Sequence, residues 1–515
     1  MIIVKEKRGK MKKKTHFISV VMGIIYILTF FILSGCASVP MANQKFNQKR
    51  YNESASNADF EKCLGMIESK TGSKDGVPLN LDIDKGLAYH FLNDFDTSAD
   101  SLYSVDMVLQ GGPKGKNYWP SLFEAYTLVA MDALSNYNGA DKETSLENAM
   151  TRIRRLGEIQ TMYDEYRVQI EQLQKEALEK EVETKDGKKV SLGVASAFLG
   201  IDLNQIAKMA PPEKKEYERY ADSDFARLLS VYIRNEYGDS DNVYDMKLLK
   251  NQALKKEAQA AISMPKGKGR VEFFAFNGML AQQKVNFVEF PGKDKYGRSM
   301  SLNCPIYNLS GKIVDNVPIS FKFSWPGLDC DSEGKVKSTS RVKRIMITPL
   351  MPESTENAVA EGPKETILLE DFNDSLRKEV NYEAHDKFMK NMAEIIAAKY
   401  VAVVASSVSL NLAYENVQKI LNNPIELVLA QLAYTAARDS MISSVNEIDE
   451  KNAVSTEQVK ILPEKVSCVG FFMDPGEHSF QIDYLGLDGF SLYSEIKTVV
   501  VEEGKPTIVE SFYLK

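Results

Sequence analysis

Through the first half of the chain, apolar residues recur at spacings of three and four. Across residues 58–262 this pattern is broken by few prolines, and it predicts packed helices. One helix pair is read around Asn93 and Asp94. A second, at 122–160, turns at Asn138, Gly139 and Asp141, and a third, at 225–253, turns at 238–241. Residues 164–189 are highly charged. Ile170, Leu173 and Ala177 give under two heptads of seam, so a solvated helix and turn is expected there. The basic, glycine-rich stretch 265–270 ends the helical pattern, and the period then shortens toward two. Segments 271–276, 285–290, 319–323 and 341–347 read as strands, with turns at Asn277-Gly278, Pro291-Gly292 and Pro326-Gly327. Residues 369–444 return to a helical pattern, and 466–514 to strands. The expected fold class is α+β: a helical domain at 58–264, then a β-rich domain at 269–515 with a helical insertion at about 369–444.

The first 57 residues follow neither pattern. Seven basic residues between Lys5 and Lys14 precede an almost uninterrupted apolar run at 17–33, the layout of a secretory signal. Leu33, Ser34, Gly35 and Cys36 follow. This resembles the lipobox of bacterial lipoproteins, whose cysteine takes a diacylglycerol and begins the processed chain. The resemblance implies a signal peptide at 1–35, lipidation and palmitate at Cys36, and a place in the cell envelope. Ala37, where some lipoproteins carry aspartate, fits the outer membrane. An uncleaved anchor would need about 20 apolar residues, which the run barely supplies. The Asn-, Gln- and Ser-rich region at 36–57 reads as a flexible tether.

Composition narrows the partners. The chain has 515 residues, 44% hydrophobic and 26% charged, a globular balance. Its formal charge is −7, and removing residues 1–35 takes away seven basic residues and one acidic, leaving −13. Such a chain is repelled by nucleic acid and anionic headgroups, so no nucleic acid is expected and the lipid must supply the hold on the membrane. Each buried CH₂ of an acyl chain contributes about 0.8 kcal/mol. Five cysteines exclude a disulfide-dense scaffold. Cys304 and Cys330 share the β region and are the candidate pair; four buried thiols after lipidation are the alternative.

No motif fixes a chemistry. His90, His385 and His478 lack the His-Glu-x-x-His spacing of zinc proteases, and no Gly-x-Ser-x-Gly elbow occurs. The Gly-Lys stretches at 111–116 and 266–269 superficially resemble phosphate loops but lack the Gly-Lys-Ser/Thr ending. Residues 329–334 open like a calcium loop, yet Ser340 stands where a bidentate glutamate is needed. Catalytic, metal and cofactor residues are therefore assigned to none. The apolar stretch 395–412 contains Lys399, at a cost of about 2.5–3.5 kcal/mol in a bilayer centre. A helix buried between sheet and neighbouring helix is expected instead.

Gly86, Tyr89, Phe95, Ser98, Leu102 and Val105 match tetratricopeptide consensus positions, in which small residues let paired helices approach. Asp82 departs from that consensus, which has a bulky aromatic there. Further residues resemble a bacterial family of tetratricopeptide-like envelope lipoproteins of unassigned function. These are Glu124 to Tyr126, Ser145 to Glu147 with Arg154 and Arg155, and Phe276 to Gly278 with Ala281. Cys304 to Tyr307, Leu462-Pro463 and Pro475 to His478 complete them. Residues 453–457 depart from the Ala-Asp-x-Arg-x-Trp run usual before Leu-Pro in that family. The resemblance implies a non-enzymatic, lipid-anchored scaffold whose helical repeats bind other envelope lipoproteins or secretion components. A cell-wall hydrolase or transferase, and a subunit of an outer-membrane secretion or assembly complex, are the alternatives.

Overall fold

The computed structural model describes residues 47–70, 77–112, 118–179, 182–183, 189–215, 218–293, 295–307, 312–350, 362–419 and 424–515. The fold class is α+β. Helices α1 (Gln48–Ser56), α2 (Phe60–Glu68), α3 (Leu79–Phe91), α4 (Phe95–Leu109), α5 (Leu122–Asn138) and α6 (Lys142–Glu179) follow one another, each packed on the next. A hairpin of β1 (Val182–Glu183) and β2 (Lys189–Val190) leads to α7 (Leu192–Leu199) and α8 (Leu203–Ala207). Helices α9 (Asp224–Tyr237), α10 (Asn242–Leu248) and α11 (Gln252–Ile262) close the helical half.

Local chemistry sets these ends. Ser121 and Glu124 form a capping box on α5, and the Ser223 hydroxyl caps α9 by accepting from Ala226 N. Gly238, at φ 83°, ends α9 in the left-handed region that favours glycine. Helix α1 corrects the expected tether over 48–56, while 36–46 lie outside the described residues. Tyr51 and Ala55, one turn apart, are both buried, so two anchors in a polar sequence suffice to dock it.

Beyond residue 268 two four-stranded sheets stack. The first has the order β10 (Ile367–Asp371), β11 (Pro463–Met473), β3 (Gly269–Met279), β14 (Pro506–Tyr513), with β14 parallel to β3. The second has the order β13 (Ser491–Val501), β12 (Gly476–Leu485), β8 (Arg344–Leu350), β9 (Lys364–Glu365). Strand β3 is buried at every position, and its two faces serve different cores. Val271, Phe273 and Ala275 meet Phe471, Phe480 and Ile482 between the sheets. Phe274 and Phe276 point the other way, edge-on to Phe225 of α9.

That second face corrects the division at 264/269. The core holding Tyr51, Leu102 and Tyr126 also holds Phe276, Phe372, Val466 and Ile508. The change of period marks a change of element, while the apolar interior runs on without a break.

A further core joins two ribbons to the long helices. Strand β4 (Lys284–Phe290) pairs with β7 (Phe321–Gly327), and β5 (Leu302–Tyr307) with β6 (Ile313–Ile319). Both ribbons pack on α12 (Phe372–Lys419) and α13 (Pro424–Lys451), which run past the expected insertion at 369–444. The strand expected at 319–323 is found as the end of β6 and the start of β7, broken only by a joint at Ser320. There the Ser320 carbonyl accepts from Lys399, whose ammonium also meets Asp449 at 2.7 Å. Ile395, Ile396 and Val403 are buried around that pair. Among the described residues no helix is long and apolar enough to cross a membrane.

Candidate docking faces

Gly86, Ser98 and Leu102 meet where α3 crosses α4. The Ser98 hydroxyl donates to the Gly86 carbonyl at 2.8 Å, and a Cβ at residue 86 would lie 2.5 Å from Leu102 Cδ2. Phe95 stands edge-on to the His90 ring, at 5.3 Å between centroids. Tyr89 is half-buried, its hydroxyl directed at Glu68. Cys36 lies outside the described residues. Cys304 is buried on β5, whereas Cys330 is exposed and bridged to Val336. Both thiols are free, and the expected pair is corrected: one thiol is locked in a strand of the ribbon core and the other lies on the surface.

The face of α3 and α5 that looks toward the sheets is filled by the chain itself. Between α13 and β11 the chain runs outside any helix or strand, and its successive N–H groups end on two helix carboxylates. Asp84 Oδ1 accepts from Lys460 N at 2.7 Å and Ile461 N at 2.8 Å. Glu124 Oε1 accepts from Val459 N at 3.2 Å, while its other oxygen holds Ser121 N at 2.7 Å. Tyr51 from α1 donates to Asp84 Oδ2 at 2.6 Å. On the sheet side, Gln458 Nε2 donates to the Ala281 carbonyl and Leu280 N to the Leu462 carbonyl, both at 2.9 Å. Val459, Ile461 and Leu462 are buried in the shared core. The segment is thus held as a bound peptide would be, by main-chain groups on both sides and apolar side chains beneath.

Two carboxylates make the same connection in reverse, from the sheet to the helices. Glu370 accepts from Ser223 Oγ at 2.6 Å, Tyr220 Oη at 3.0 Å and Phe225 N at 3.2 Å. Glu510 meets His90 Nε2 at 2.9 Å, and His90 Nδ1 lies 2.8 Å from Ser135 Oγ. Within the β half, Glu464 takes Thr339 N at 2.6 Å and Ser340 N at 2.9 Å.

Burial sets the electrostatics. It pushes Asp84 up to about 7 against its hydrogen bonds from Tyr51 and the backbone. It does the same to Asp132 and Glu272, each to about 7 against Arg152 and Arg270 respectively. Glu379 rises to about 8 through burial reinforced by Glu383. Burial lowers Lys460 to about 8, against the pull of Asp84. For Glu464 burial is outweighed by Lys465, Ser338 and Ser340, and its carboxyl sits below the ordinary value. The cleft of about 360 Å³ beside β8, β9 and β11 is lined by Asn277, Arg344, Thr366 and Lys465 among others, and by none of the raised carboxylates.

Several residues carrying the family resemblance gather around this segment. Glu124 and Ala281 bind it, and Leu462 is part of it. Asn277 accepts from Ser340 at 2.8 Å, and a Cβ on Gly278, at φ 66°, would meet Ser340 Cβ at 2.7 Å. Asp84 and Glu370 were not read from the sequence. A signal existed for Asp84, which lies on the buried stripe between Leu81 and Ala88.

Elsewhere on the helical half, α4 and α6 share an open face. Tyr103 and Met107, one turn apart on α4, are exposed, and the Arg152 guanidinium lies 4.5 Å from the Tyr103 ring. Arg155 is fixed beside them by Asp106 at 3.1 Å. No protein-family model, curated protein or solved structure gave a significant match to this chain.

Proposed function

We propose that the protein is a lipid-anchored cell-envelope scaffold, held by Cys36 to the outer membrane, with a tetratricopeptide-like helical array that binds another envelope lipoprotein or secretion component. The observation that carries this reading is the self-docked segment at 458–462. An array whose sheet-side face already holds a chain segment through its main-chain N–H groups behaves as a peptide-binding platform, and its own β half keeps it rigid. With that face filled, the partner is assigned to the α4–α6 face. There Tyr103 and Met107 offer an adaptable apolar surface beside Arg152 and Arg155. The close contact of Gly86 with Leu102 supports the repeat reading of α3 and α4.

The test is site-specific photo-crosslinking in intact envelopes, with the reactive group at Met107 and, as control, at exposed Val194 of α7. The reading expects one discrete adduct from residue 107, lost when Tyr103 is changed to alanine. It also expects Cys36→Ser to leave the membrane fraction under alkaline carbonate. Equal adduct patterns from both positions would remove the docking face, and retention of Cys36→Ser on membranes would remove the lipid anchor.

A further inference from the structure

Strand β13 is an edge strand with its apolar side facing out. It pairs with β12 only, and among the described residues no strand pairs with its other edge. Side chains alternate along it. Tyr493 packs against Tyr484 and Tyr513, and Val501 is buried in the core between the sheets, so the odd-numbered residues face inward. The even-numbered face carries Leu492, Ile496 and Val500, the last two 62% and 64% exposed. The turn before it adds Leu487 and Phe490, at 86% and 74%. A long apolar edge of this kind is ordinarily blunted or covered.

We infer that this edge pairs antiparallel with the β13 edge of a second copy, about a two-fold axis at Ile496. Opposed residues in an antiparallel pair turn their N–H and C=O groups either both toward the partner strand or both away. A two-fold axis must therefore pass through a residue position, which leaves few registers. Ile496 is the midpoint of Ser491–Val501, so only this centre overlaps the whole strand. It sets Leu492 against Val500, Ser494 against Thr498 and Ile496 against its own copy on the outer face. On the inner face it sets Glu495 against Lys497 twice, once on each side of the axis. Moving the centre one residue either way stacks Glu495 on Glu495 or Lys497 on Lys497, a like-charge contact that disfavours the register. Within one chain these two groups lie 3.6 Å apart on the inner face, 32% exposed for Lys497 and 19% for Glu495, whose other carboxylate oxygen accepts from Ser511. Charge complementarity and full overlap thus select the same register, and the occupant they select is a second copy.

The register makes a test that misfolding cannot imitate. Full-length chain in mild detergent is measured by sedimentation at micromolar concentration. Wild type is expected as a dimer, and Glu495→Lys and Lys497→Glu as monomers when alone. Mixing those two variants restores opposite charges across the axis, and the dimer mass returns. In a Cys330→Ser background, Ile496→Cys is expected to form an intermolecular disulfide, since opposed Cα atoms lie about 4.5–5.5 Å apart. Ser494→Cys alone is expected to link poorly, and to link to Thr498→Cys when the two are mixed. A monomeric wild type, or cross-linking by Ser494→Cys alone as efficient as by Ile496→Cys, would overturn the proposal.

Discussion

At the scale of single residues, the account turns on contacts with no slack. Alanine in place of glycine inside a helix ordinarily stabilises by up to about 1 kcal/mol. At residue 86 the new methyl would meet Leu102, which is fully buried, and overpacking typically costs about 1–3 kcal/mol. Gly86→Ala is therefore expected to lower the urea midpoint, and Gly86→Leu to lower it further; a raised midpoint for Gly86→Ala would show that α3 and α4 can separate. Asp84→Ala strands the Tyr51 hydroxyl and two backbone N–H groups, each at about 1–3 kcal/mol. It is expected to cost several times more than Ser104→Ala, an exposed change on α4. Gly86 was legible because a small residue between apolar neighbours at helical spacing marks a close crossing. Asp84 showed only as a position on the buried stripe, because a lone carboxylate reads as solvated until its partners are seen, and its backbone donors lie some 376 positions away along the chain.

At the scale of elements, periodicity found the helix pairs and most strands, and it failed where an element is held by something other than periodic burial. Helix α1 has two apolar anchors in nine residues. Strand β3 is apolar on both faces, so its pattern says strand without saying what each face meets. The segment at 458–462 has no period at all, and only its last residue, Leu462, carried a sequence signal. Its hold on the helices makes an element-level expectation. Trp119 sits among the helices and Trp325 on β7 against Phe388, so variants keeping one tryptophan report on each region. Asp84→Ala is expected to shift the Trp119 transition in urea markedly. The Trp325 transition, in the separate ribbon core, is expected to shift less. Equal shifts would mean that the ribbon core depends on the same junction.

At the scale of the whole molecule, the buried carboxylates reverse the usual effect of acid. Unfolded carboxyls titrate near 4, whereas Asp84, Asp132 and Glu272 are raised to about 7 and Glu379 to about 8. Between those values the folded protein binds more protons than the unfolded chain, so stability falls as pH rises through that window. Lys460, lowered to about 8, acts oppositely only above that pH. The urea midpoint is thus expected to be higher at pH 5.5 than at pH 8. Glu379→Gln should raise it at pH 8 with little change at pH 5.5; a midpoint that climbs from pH 5.5 to 8 would contradict this.

The central claim is that the helical array holds the chain's own segment at 458–462 and so fuses the two halves. Hydrogen exchange at the amides of Val459, Lys460 and Ile461 tests it most directly. Although the segment lies outside any helix or strand, these amides should exchange as slowly as those in the middle of β3, and faster in Asp84→Ala. Exchange as fast as at the exposed Leu487 and Asp488 of the turn before β13 would mean the segment is an ordinary loop and the fusion does not exist.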